Sequence, residues 1–119
     1  MTIENVSSDL IRGHIDTIIL KILHESDNYG YEIIKAIFKK TGGEYELKEP
    51  SLYTSLKRLE KDKLIESYWG DQSQGGRRKY YHITELGAEA LTRDIAKWLV
   101  AQKIINSILV GENGGNKNG

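Results

Sequence analysis

Between residues 91 and 109 the chain carries a stripe that no small domain can bury by itself. Leu91, Ile95, Trp98, Gln102, Ile105 and Leu109 follow one another at spacings of 4, 3, 4, 3 and 4. That is the a/d seam of a helix packed against a partner helix, with one polar slot at Gln102. Thr84 offers an N-cap and Glu85 a favourable charge in the first turn, so the spacing predicts one helix from Thr84 to about Leu109. A 119-residue chain with no Cys has one modest core and neither a disulfide framework nor a Cys-based zinc site. Left exposed, Ile95, Trp98, Leu99, Ile105 and Leu109 would be an aggregation liability. The expected solution is a C2 homodimer closed by this helix and by the first one, through Ile11.

Upstream, Ser7, Ser8 and Asp9 offer an N-cap, and Leu10, Ile11, Ile15, Ile18, Ile19, Ile22 and Leu23 keep helical spacing to about Glu25. Ser26 to Asn28 reads as a short turn. Tyr29 to Lys40 reads as a second helix with Ile33, Ile34, Ile37 and Phe38 inward, stopped by Thr41-Gly42-Gly43. Glu44 to Leu47 alternates like a very short strand. Pro50 suits the first turn of a third helix, whose buried stripe is Leu52, Leu56 and Leu59. Two strands, Leu64 to Trp69 and Arg78 to Ile83, flank the turn-forming stretch Gly70 to Gly76. Of Tyr80 and Tyr81, one belongs in the core and the other outside.

The expected fold class is mainly α with a small β-hairpin (α+β): a winged helix-turn-helix plus a long C-terminal dimerisation helix. Its expected divisions are a DNA-binding domain over 1–83, with the first helix contributing to the dimer, the dimerisation helix over 84–110, and a tail over 111–119. The tail has no apolar group and is expected to be disordered.

The net charge of zero argues against a nucleic-acid partner only while it is read globally. Residues 1–50 hold 6 Lys and Arg against 9 Asp and Glu, residues 51–80 hold 7 against 4, and residues 81–119 hold 4 against 4. The local field at a contact surface governs polyanion binding, and the middle segment is the positive one. It spans the third helix and the hairpin. A basic helix of about three turns fits the major groove, and a Gly-rich hairpin whose return strand opens Arg-Arg-Lys can reach phosphates. Base readout is expected from Ser51, Tyr53, Thr54 and Lys57, with Tyr53 alternatively a core-edge aromatic. Sequence-independent affinity is expected from the wing charge of Arg77, Arg78 and Lys79, with Gln74, Gly75 and Gly76 before it, and Arg58 and Lys61 complete the expected DNA-binding set. The partner is double-stranded DNA. The alternative is a winged helix used for protein–protein or RNA contact.

Other classes find little support. No apolar run approaches the roughly 20 residues of a membrane span, and Met1-Thr-Ile-Glu-Asn lacks the basic start of a signal peptide. A cytoplasmic protein without membrane contact is expected. His14, His24 and His82 are scattered and give no metal site, no cofactor is implied, and no catalytic triad, carboxylate pair or phosphate loop occurs.

Four stretches resemble a known family: Tyr29-Gly-Tyr-Glu-Ile, Ser51-Leu-Tyr-Thr-Ser-Leu-Lys-Arg-Leu-Glu, Leu64-Ile-Glu-Ser-Tyr-Trp, and Gly75-Gly-Arg-Arg-Lys-Tyr-Tyr-His-Ile-Thr-Glu-Leu-Gly87. They resemble the PadR family of transcriptional regulators over about Leu10 to Ile108. The short length and single C-terminal helix look like its smaller subfamily. Tyr68-Trp69-Gly70-Asp71, Gln74-Gly75-Gly76 and Trp98 look most like LmrR-type multidrug-responsive repressors. The resemblance implies a homodimeric repressor reading an inverted-repeat operator with its third helix and wing. It also implies that Trp98 pairs with its symmetry mate and sandwiches planar drugs. The periodicity alone favours Trp98 as a dimer-core aromatic. Leu91, Ile95, Gln102, Leu10, Gly13, His14 and Thr17 are the expected neighbours of such a ligand. Gln102 is alternatively a register-setting hydrogen bond across the dimer. Its side chain is neutral, so a preference for cationic ligands would rest on Asp94 or Asp16 facing the cleft.

Overall fold

A computed structural model of the chain describes residues 10–70 and 77–111. Its elements are α1 (Ile15–Glu25), β1 (Asn28–Tyr29), α2 (Gly30–Lys40), α3 (Glu49–Lys61), β2 (Ile65–Trp69), β3 (Lys79–Ile83) and α4 (Glu85–Leu109). The proposed caps Ser7, Ser8 and Asp9 lie outside the described residues, as do the loop 71–76 and the tail beyond Gly111.

One core joins all the helices to one face of the sheet. Ile19, Leu20 and Leu23 of α1 meet Ile33 and Ile37 of α2, Leu52, Leu56 and Leu59 of α3, Ile65 and Tyr81 of the sheet, and Ala90 and Leu91 of α4. Each large aliphatic side chain buried this fully contributes about 1.5–3 kcal/mol before the chain entropy is set against it. The α3 stripe falls where its spacing predicts. Pro50 stands in the first turn, where its missing N–H costs nothing. Gly42 and Gly43 both take positive φ and stop α2.

Four local expectations are corrected. The first helix is interrupted: residues 10–12 are helical, Gly13 and His14 form a turn, and α1 begins at Ile15. Glycine within a helix costs about 1 kcal/mol relative to alanine, and the chain bends there. The Ser26–Asn28 turn leads into a strand, since Asn28 pairs with Tyr81 and Tyr29 with Tyr80. The hairpin is therefore a three-stranded antiparallel sheet in the order β1-β3-β2. Glu44 to Leu47 forms no strand, although Leu47 is buried as a linker plug. Phe38 is exposed, one step round the helix from buried Ile37, and its ring lies beside Gly43.

α4 runs from Glu85 to Leu109, with Thr84 as N-cap. The Thr84 hydroxyl accepts from the Gly87 N–H at 3.0 Å and approaches the Lys63 and Leu64 carbonyls at 2.8 and 3.1 Å. This one side chain fixes the start of α4 against the base of β2. Tyr81 is the tyrosine of its pair that enters the core, and Tyr80 stays half-buried.

Candidate nucleic-acid interface and the apolar groove

With Leu52, Leu56 and Leu59 inward, α3 turns Ser51, Tyr53, Thr54, Lys57, Arg58 and Lys61 outward, and all six are exposed. They are not equivalent. The Thr54 hydroxyl donates to the Pro50 carbonyl at 2.8 Å, so in this rotamer it can accept from a base amino group but must leave the helix backbone to donate to one. Tyr53 lies against Gly30, where a Cβ would collide with the ring. That contact lets α2 and α3 approach closely and makes Tyr53 both an edge of the core and an exposed aromatic. Arg58 donates from Nε and Nη2 to the two carboxylate oxygens of Asp16, each at 2.8 Å, and from Nη2 to Ser55 at 3.2 Å. Burial pushes the Asp16 carboxyl up, but the hydrogen bonds from Arg58 and Ser55 outweigh it and hold the group below the usual carboxylate range. Arg58 is thus braced to α1, and Lys57 and Lys61 are the other exposed cations of this face.

The stem of the wing is ordered by aromatic rings. Tyr68 pairs with Tyr80 and Trp69 with Lys79 across the ladder. The Tyr80 ring stacks on Tyr68 at 5.7 Å and meets Tyr29 edge-on at 5.4 Å. The Arg78 guanidinium lies over Tyr29 and the Arg77 guanidinium over Trp69, both at 4.8 Å from the ring centroid. The Lys79 ammonium lies 5.8 Å from the Tyr81 ring. These contacts hold three cations on the stem of the wing. Gln74, Gly75 and Gly76 lie outside the described residues.

Asp27, which the sequence reading passed over, fastens this wing. It accepts from the Tyr68 hydroxyl at 2.6 Å and lies 2.9 Å from His82 Nδ1. Its carboxyl sits below its ordinary range because these two partners outweigh the opposing effect of burial. His82 is a structural residue here.

Between α1 and α4 an apolar groove opens. A hollow of about 500 Å³ is lined by Leu10, Ile11, His14, Thr17, Ile18, Ile22, Leu91, Asp94, Ile95 and Trp98, with Lys21 and Lys40 also at its wall. A second, of about 460 Å³, shares His14, Thr17, Asp94 and Trp98 and adds Gly13, Asp16, Lys97, Ala101 and Ile105. His14 and Trp98 meet edge to face at 4.9 Å, and the Thr17 hydroxyl donates to Asp94 at 3.2 Å. Trp98 and six of the seven expected ligand neighbours therefore border one hollow or the other. Gln102 borders neither and is exposed. Asp94 faces both hollows, whereas both carboxylate oxygens of Asp16 are engaged by Arg58. Leu99, Leu109 and Ile105, which also borders the second hollow, are exposed along α4, with Ile104 and Ile108 beside them.

Residues 19–93 match the model of the PadR-like family of transcriptional regulators. The chain belongs to this family. The chain is also similar to a solved transcriptional regulator from Clostridium thermocellum, which is 45% identical, with a TM-score of 0.79 over 86% of this chain and 99% of that one. A PadR-like transcriptional regulator from Bacillus cereus is 36% identical, with a TM-score of 0.75 over 88% of this chain and all of the other. An uncharacterized protein of Lysinibacillus sphaericus is 46% identical over 106 residues, 89% of this chain and 97% of that one. As a PadR-like protein the chain is a DNA-binding transcriptional regulator and not an enzyme. Among the described residues, no group of His, Asp and Glu could hold a metal ion, and no helix is long and apolar enough to cross a membrane.

Proposed function

We propose that this PadR-like regulator is a cytoplasmic homodimeric repressor that reads an inverted repeat and responds to planar aromatic ligands held beside Trp98. The observation that carries the reading is that α1 serves two surfaces at once: through Asp16 it meets the basic face of α3, and through Thr17 it lines the apolar groove against α4. Two copies related by a C2 axis through α4 would cover the exposed Leu99, Ile105 and Leu109 and present two α3 helices to two half-sites. Ser51, Tyr53, Thr54 and Lys57 read base edges, while Lys61, Arg77, Arg78 and Lys79 contact phosphates.

Footprinting on the DNA upstream of its own coding region tests the reading. The expected result is a protected inverted repeat, and no protection at low salt would overturn it. Two variants then separate the roles. Lys57→Ala changes which sequences are preferred. Arg78→Ala weakens all sequences alike and flattens the salt slope by about one unit. A partner that still binds both variants with full affinity would instead mark a protein- or RNA-interaction module.

A further inference from the structure

Two consecutive residues of α1 reach two different helices. Asp16 accepts 2.8 Å hydrogen bonds from Arg58 on α3, and Thr17 donates at 3.2 Å to Asp94 on α4. Successive side chains on a helix diverge by about 100°, so one turn of α1 stands between the recognition helix and the groove. The Asp16 contact is more than a loose surface pair. It is bidentate, its guanidinium fork also reaches buried Ser55, and the Asp16 side chain is 33% exposed.

We propose that Asp16 is a positioning residue for DNA reading: it holds Arg58 as an internal counter-ion of α3 and, through its neighbour Thr17, makes the seating of α3 depend on the state of the groove. The inference deepens the ligand-responsive regulator proposed above and rests on it. A guanidinium whose fork is filled by a carboxylate is withheld from indiscriminate phosphate pairing. DNA gains Arg58 only by drawing it off Asp16, so poorly fitting sites lose that contact and discrimination rises. A ligand that disturbs Thr17 and Asp94 displaces the turn of α1 that carries Asp16.

The test uses the full chain and two DNA fragments, one containing the protected repeat and one unrelated, with binding measured by fluorescence anisotropy across a salt series. Asp16→Asn keeps the size of the side chain and removes its charge. The expected result is tighter binding to the unrelated fragment, a salt slope steeper by about one unit, and a smaller affinity ratio between the fragments. Asp16→Glu, which keeps the carboxylate, restores part of the ratio. An unchanged slope and ratio would overturn the proposal, as would an equal loss on both fragments with a lowered unfolding midpoint. In a second arm, Thr17→Val is made in the wild-type and Asp16→Asn backgrounds. Coupling predicts a change of about three-fold or more in affinity for the repeat in the first background and a clearly smaller one in the second. Equal effects, or none, overturn the link to the groove. If the wild-type protein itself fails to distinguish the fragments, the regulator reading falls and this inference falls with it.

Discussion

The Tyr68 hydroxyl donates to Asp27 at 2.6 Å, and by that bond the wing is tied to the loop that leaves α1. His82 reaches the other oxygen of the same carboxylate. One acid therefore bridges both strands of the wing to the helix that lines the groove. Donation to Asp27 pushes the Tyr68 hydroxyl up to about 12, and the same bond helps hold Asp27 below its ordinary 3.8.

Tyr68→Phe is expected to lower stability by about 1 kcal/mol at pH 7, the usual size of a net hydrogen bond at a partly exposed site. The pH dependence follows from the two shifts. Asp27 is depressed, so its contribution is present at neutral pH and is lost as pH falls below 3.8 through its lowered folded value. Tyr68 is raised, so its contribution is complete below its ordinary value of 10.0 and is lost as pH rises through about 12. Urea unfolding of both proteins should show the gap at pH 7 and a gap that shrinks as pH falls below 3.8.

Gly87 lies where α4 meets the base of β2. A Cβ there would collide with the Leu64 carbonyl and crowd Ile83. The obstacle is backbone, which cannot swing aside as a side chain can. Gly87→Ala should therefore cost about 1–3 kcal/mol despite the higher helix propensity of alanine. The expected signature is a lower urea midpoint with an unchanged m-value.

These two sites mark where the sequence was legible and where it was not. The extent of α4 was readable because a long 4-3 period and a Thr cap agree with each other. The α3 stripe was readable because Leu52, Leu56 and Leu59 repeat on one face. β1 escaped because two residues carry no period, and its pairing with Tyr80 and Tyr81 is made across 51 to 53 positions of chain. Phe38 was misassigned because it lies one residue beyond the buried Ile33–Ile37 row, where apolar character alone cannot fix the edge of a stripe. The roles of Asp16 and Asp27 depend on partners 42 and 41 residues away, and nothing local announces them.

The exposed half of α4 yields a prediction about assembly. Ile105 and Leu109 continue the seam of Leu91 and Ile95 past the end of the core, and both are exposed in the single chain. Ile105→Glu would bury a charge if this row meets its symmetry mate, at a cost of several kcal/mol per dimer. Sedimentation should then find a monomer at concentrations where the wild-type protein is a dimer. DNA affinity for the repeat should fall toward that for a half-site. A variant that stays dimeric would place the interface elsewhere.

Trp98 stands at the wall shared by the two hollows, and its role can be separated from that of the dimer seam. Planar dyes should quench its fluorescence, measured in a Trp69→Phe background because Trp69 is the other tryptophan. Loss of stacking in Trp98→Phe should weaken dye binding by about three- to ten-fold, since an aromatic pair contributes roughly 0.5–1.5 kcal/mol beyond its buried area. An unchanged affinity would assign Trp98 to the dimer core alone. The charge of the preferred dye is argued from Asp94, the acid that faces both hollows and accepts from Thr17; of the lysines on their walls, Lys21 and Lys40 are each paired with Glu25, and Lys97 borders the second hollow alone. A cationic dye should therefore bind more tightly than a neutral one of the same shape. Asp94→Asn should erase that difference by weakening the cationic dye and leaving the neutral one unchanged.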